Sequence, residues 1–205
     1  MMYLIEPTKS LEGSVRIPGS KSGTARGIVL GTLAAGTTRI YNPMPGIDSY
    51  SIINCCRTLG AKIDCSSDSE WIIEGIGMDL KAPSAVLDVG NSGTGYYIIS
   101  TVASMIHGKS IITGDYQICY RPIAPLLKAI RELGGKATST RDNELAPLMI
   151  EGPIQGGHTV QFPGVNVQWL IGLLICCPSL QGDTRIVVDN LGERPYASLT
   201  LDWLN

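Results

Sequence analysis

Aromatic residues, an excess of charge of either sign and long apolar runs are all scarce in this sequence. Of 205 residues, 6% are aromatic with a single Phe, and 16 Lys and Arg against 18 Asp and Glu leave a formal net charge of −2. A surface that binds nucleic acid or an acidic membrane needs a basic excess to replace released counterions. The basic residues are dispersed without a Lys/Arg run, so neither partner is expected. The longest apolar run, Trp169 to Cys177, has the length of a core helix and falls short of the roughly 18–20 residues that span a bilayer. The opening Met1-Met2-Tyr3-Leu4-Ile5-Glu6-Pro7 has neither a basic n-region nor an apolar h-region, so it does not read as a signal peptide. No CxxC pair occurs among Cys55-Cys56, Cys65, Cys119 and Cys176-Cys177. Adjacent cysteines are poorly placed to bridge each other or share a zinc. The expectation is buried thiols of a cytoplasmic protein, with no metal.

What the chain does have is glycine, 24 residues of it, which suits the tight turns and close backbone approaches of a layered α/β fold. It also repeats. The segments Gly27 to Ile40, Ile98 to Ile112 and Leu170 to Ile186 read alike. Each predicts an apolar helix of about three turns, closed at the C′ position by Gly36, Gly108 or Gly182, then a β-branched strand. Those glycines lie 72 and 74 residues apart, and Leu59-Gly60-Ala61-Lys62 recurs 74 residues on as Leu133-Gly134-Gly135-Lys136. Each unit then reads strand, helix, strand, helix, strand, strand. A helix that is apolar nearly all round is buried, so the first helix of each unit is expected inside, with sheets around it. The third copy is expected to be incomplete, since its Leu-Gly marker and two closing strands would fall beyond Asn205.

Each unit opens, just before its buried helix, on a short polar loop. These are Pro18 to Arg26, Val89 to Gly95, and Pro163 to Gln168. Helix N-termini present free backbone N–H groups and the positive end of the helix dipole, so they hold anions. Three such starts in equivalent positions could converge on one site, and Lys21 and Arg26 add formal charge. The plainer alternative is that Ser22, Thr24, Asn91 and Thr94 are ordinary N-caps. Pro18-Gly19-Ser20-Lys21-Ser22 lacks the GxxxxGK[ST] pattern of a nucleotide loop, so ATP is not implied.

The run Ile17-Pro18-Gly19-Ser20-Lys21-Ser22 with Arg26, the run Gly90-Asn91-Ser92-Gly93-Thr94, and Arg121-Pro122-Ile123 resemble the signatures of the enolpyruvyl transferases, in the EPSP synthase family. Asp48 after Asn42-Pro43, Gln168, and Arg194-Pro195-Tyr196 follow in that family's order. Serine after the lysine favours the shikimate branch over the UDP-N-acetylglucosamine branch. The resemblance implies two globular domains of three βαβαββ units each. Residues 1–17 would be a strand segment belonging to the second domain. Residues 18–205 would be one enolpyruvyl-transferase-like domain, with units of about 18–80, 81–155 and a truncated 156–205.

By the same resemblance, the enolpyruvyl group of phosphoenolpyruvate moves onto shikimate 3-phosphate, without metal or organic cofactor. Lys21, Gly93, Arg121 and Gln168 would hold phosphoenolpyruvate. Ser22, Arg26, Gln168 and Tyr196 would hold the acceptor, with Asn91, Thr94, Asp48 and Asn166 around them. The family's acid and base lie in the second domain, so no catalytic residue is expected in this chain. A complementary chain carrying that domain is the partner it would need.

Departures from the family pattern bear on the acceptor. Tyr97 stands where the family has arginine, Asn166-Val167-Gln168 replaces Ser-Ser-Gln, and Glu193 replaces a serine. A carboxylate at 193 would repel a phosphate unless turned away or protonated. A non-catalytic binding module, or a transferase with another acceptor, therefore stands as the alternative.

Overall fold

A computed structural model describes residues 3–205 of the chain. Residues 3–20 carry no helix or strand, and residues 1 and 2 of the proposed 1–17 segment lie outside the described residues. Three stretches of elements follow. The first is α1 (Lys21–Leu33), β1 (Ala35–Tyr41), α2 (Ile47–Thr58), β2 (Lys62–Asp64) and β3 (Glu70–Ile76). The second is β4 (Leu87–Asp88), α3 (Gly93–Ala103), β5 (Gly108–Thr113), α4 (Ala124–Glu132), β6 (Lys136–Ser139) and β7 (Leu148–Gly152). The third is β8 (Thr159–Pro163), α5 (Val167–Cys176), β9 (Arg185–Asp189) and α6 (Arg194–Leu204). Each stretch has its own sheet, ordered β1-β3-β2, β4-β5-β7-β6 and β8-β9. The pairs β4-β5 and β8-β9 are parallel, as expected for strands joined through a helix, and all other pairs are antiparallel.

Burial rather than propensity makes the inner helices. α3 is rich in β-branched residues, which favour helix weakly, yet Gly95 through Ala103 are all buried. α5 likewise buries all but two of its residues. Each fully buried Ile, Leu or Val contributes roughly 1.5–3 kcal/mol, enough to override the propensity deficit. In α1 the glycines 23, 27 and 31 form one ridge at a spacing of four. A methyl at Gly31 would press on Ile73 and Thr38, and one at Gly27 on Ile40, so the helix lies directly on the β1/β3 sheet.

The Leu-Gly markers do end helices. Gly60 has φ +115° and Gly134 φ +88°. Their N–H groups bond the carbonyls of Arg57 and Arg131, while Ala61 and Gly135 bond those of Cys56 and Ile130. This is the doubled C-terminal hydrogen bond of a Schellman cap. The other expected caps need correction. Gly36 and Gly108 also have positive φ, but they lie within β1 and at the start of β5, and Gly182 follows a 3-10 turn, Cys177–Ser179. Their freedom serves the entry into the strand, and α1 ends instead on an extended Ala34.

All six cysteines are free. Burial pushes the Cys55 thiol up to about 12 and the Cys56 thiol to about 11. Below the ordinary thiol value of 9.0 folded and unfolded chains both keep these protons. Above it only the unfolded chain releases them. Stability should therefore fall as pH rises from 9 toward 11, measured as urea midpoints. Mass spectrometry after iodoacetamide treatment at pH 8 should find Cys65 and Cys119 modified long before Cys55, Cys56 and Cys176. Equal labelling would contradict the burial.

Candidate anion-binding site at the helix heads

The N-caps are not the residues that the loops suggested. Ser20 caps α1 by accepting from Gly23 N at 3.0 Å, and Ser92 caps α3 by accepting from Gly95 N at 3.0 Å. Asn166 caps α5 by accepting from Gln168 N at 3.0 Å. The repeated Ser-x-x-Gly of residues 20–23 and 92–95 was the available signal for the first two. Ser22 and Thr94 sit in first helical turns. Thr24 accepts from Met44 N, and Asn91 donates to the Asp115 carboxylate. Asp115 is a site neighbour that sequence reasoning missed; the Asn91 side chain and the N–H groups of Ile118 and Gln117 hold its carboxyl below the usual range.

A chain of contacts brings the helix heads to one end of the molecule. Lys21 Nζ lies 2.8 Å from Asp48 Oδ2, joining the heads of α1 and α2. On α2, Ser51 and Ile52 press against Gly90 and Gly95 at the head of α3, leaving no room for a methyl at either glycine. Tyr97 of α3 in turn faces Asn166 at the head of α5. Gly19 closes the first loop on backbone, since a methyl there would lie 2.0 Å from Asn42 O.

Arg26 and Arg121 occupy this end differently. Arg26 is wholly buried and bridges α1 to α6. Its Nε donates to Thr200 Oγ1 at 2.8 Å, Nη1 to Ser22 O at 2.9 Å and Nη2 to Tyr196 O at 3.2 Å. Burial lowers its pKa, because desolvation disfavours the cation. Arg121 is exposed and lies over the first residue of α3, where a methyl on Gly93 would meet its Nη1 at 2.9 Å. Neither arginine forms a salt bridge among the described residues.

Two guanidinium groups without a salt bridge among the described residues, three helix N-termini and Lys21 lend this end of the molecule positive character, offset at Lys21 by Asp48 and near Arg121 by Asp115. Gln168 Oε1 is buried there without a hydrogen-bond partner, and the Tyr196 side chain is part-exposed. Of the departures, Val167 is 1% exposed and serves the core. Glu193 is exposed, in the left-handed conformation at φ +47°, and makes no side-chain cap. Among the described residues no cluster of three His, Cys, Asp or Glu could hold a metal ion, and no helix is long and apolar enough to cross a membrane.

The family model for EPSP synthase (3-phosphoshikimate 1-carboxyvinyltransferase) matches residues 5–205. A 3-phosphoshikimate 1-carboxyvinyltransferase of Ruminiclostridium cellulolyticum is 42% identical over 204 residues, covering 100% of this chain and 48% of that protein. One from Methanothermobacter thermautotrophicus is 35% identical over 98% of this chain and 48% of its own length. The solved EPSP synthase of Acinetobacter baumannii superposes with a TM-score of 0.82 at 30% identity, over 91% of this chain and 42% of that one. The chain thus spans about half the length of the curated relatives it matches. On the family match, which runs through every helix head described above, the chain belongs to the EPSP synthase family.

Proposed function

We propose that this chain is the acceptor-binding half of a 3-phosphoshikimate 1-carboxyvinyltransferase, taking shikimate 3-phosphate and phosphoenolpyruvate at the helix heads. What supports this reading is the chain of contacts that links the heads of α1, α3 and α5, with Lys21 on the first, Arg121 over the second, and Arg26 buried against α6 without a salt bridge among the described residues. The three stretches of elements are read as βαβαββ units, the first taking its leading strand from elsewhere and the third needing further strands. Lys21, Gly93, Arg121 and Gln168 face phosphoenolpyruvate in this reading, and Ser22, Arg26, Gln168 and Tyr196 the acceptor. Asn91, Thr94, Asp48 and Asn166 support them.

In the reaction, an acceptor hydroxyl gives up its proton and attacks C2 of phosphoenolpyruvate while C3 takes a proton; the tetrahedral ketal then loses phosphate from C2 and a proton from C3, which restores the enol double bond. This chain contributes neutralisation of phosphate and carboxylate. The groups that move protons come from a completing domain or chain, so the chain alone binds without turnover. Free thiols in every cysteine position suit a cytoplasmic setting. A transferase with another acceptor, or a binding module, is favoured at one place only, the exposed carboxylate of Glu193 three residues before Tyr196.

Isothermal titration of the chain with shikimate 3-phosphate, with and without phosphoenolpyruvate, tests the proposal. Saturable binding is expected, weakened about 10–100-fold in Lys21→Ala, the worth of a lost charge-assisted contact. Absence of binding at millimolar ligand from a folded sample would overturn it and leave the altered-acceptor or binding-module reading.

A further inference from the structure

Tyr97 stands at the junction of three elements that carry the site. It is 3% exposed, in the second turn of α3. Its hydroxyl donates to Pro122 O at 3.2 Å, gripping the backbone immediately after Arg121. The Arg121 guanidinium, the Asn166 side chain and the Trp169 side chain also act on this phenol. Arg121 needs such support. It ends a 3-10 turn, Ile118–Tyr120, with extended backbone, and its N–H bonds only Ile118 O. No salt bridge fixes its side chain among the described residues.

The other end of Tyr97 is equally anchored. Its carbonyl accepts from Thr101 Oγ1 at 2.9 Å, and that same carbonyl lies against Gly172 of α5. The phenol therefore projects from a fixed backbone. Burial raises its pKa, so it remains a protonated donor at neutral pH.

We propose that Tyr97 is a positioning residue for Arg121, tying the Arg121-Pro122 segment to the heads of α3 and α5 so that the guanidinium stays over the N-terminus of α3. A neutral phenol at this place orders an existing cation and adds none. The site then gains its affinity for a phosphate or carboxylate from one well-held guanidinium, whose rotamer entropy is lost before the ligand arrives.

The structural part of this proposal is independent of the proposed function; only its ligand arm rests on that reading. The first arm is ligand-free NMR of the Arg121 Nε–Hε bond in the native chain and in Tyr97→Phe, which keeps the ring. The order parameter should fall below about 0.6 in the variant, with circular dichroism unchanged. Equal order in both chains would overturn the proposal. The second arm titrates phosphoenolpyruvate. Tyr97→Phe should weaken binding about tenfold, and by less than about twofold when Arg121→Ala is already present, because the effect runs through Arg121. Equal losses in both backgrounds would make Tyr97 a packing residue and overturn the proposal. A native chain that fails to bind while Tyr97 still orders Arg121 would sink the functional reading and support this one.

Discussion

Arg26→Met is expected to leave the folded chain about as stable as the native one, or more so, while lowering affinity for shikimate 3-phosphate about 100-fold. Taking a guanidinium out of water costs several kcal/mol unless a counter-charge offsets it, and Arg26 is wholly buried with no salt bridge among the described residues. Its loss would strand little. Ser22 O also accepts the helical N–H four residues on, and Tyr196 O accepts from Thr200 Oγ1 at 2.8 Å. Methionine fills the same slot with flexible apolar atoms. Three of the five guanidinium N–H groups are used within the protein. A charge kept where an apolar residue would fold equally well is a mark of binding rather than stability. Urea denaturation and titration calorimetry on the same preparations read both quantities. A loss above about 3 kcal/mol with affinity unchanged would make Arg26 a purely structural bridge.

The sequence disclosed those parts of the fold that rest on local pattern. Segments apolar on every side became the buried α3 and α5, and two Leu-Gly pairs became two Schellman caps. What it did not disclose depends on partners far along the chain. Arg26 reads from its neighbours as a cation that adds charge at the first loop, and nothing local shows that it bonds Thr200 of α6, 174 residues away, and is buried. Gly36 and Gly108 read as helix stops because apolar runs end near them, whereas the demand for positive φ comes from the strands they enter. In the candidate site, Lys21 was legible through its loop and charge, whereas Gly93 and Arg121 were so only through the family resemblance. Asp115 was not, because nothing local marks an acidic residue that fixes an asparagine 24 positions earlier. Tyr97 was legible only as a departure, since its use depends on where the backbone of Pro122 passes.

Gly172→Ala should give the largest loss of stability among single-methyl changes between the inner helices, about 1–3 kcal/mol. The corresponding drop in Tm is about 2–12 °C for a chain of this size. The added Cβ would lie 2.3 Å from Thr101 Oγ1 and 3.2 Å from Tyr97 O, between α5 and α3. Thr101 cannot swing away freely, because rotating its side chain breaks the 2.9 Å bond to Tyr97 O. The helices must then part, and close-packed interiors transmit such a shift along both elements. Their heads carry Tyr97 and Asn166, so anion affinity should fall together with stability. The double variant Gly172→Ala with Thr101→Ala removes the nearest clashing atoms and should recover at least half of the lost stability. That non-additivity is the signature of a direct contact. Losses that simply add would place the strain elsewhere and show that α3 and α5 are not locked together at this glycine.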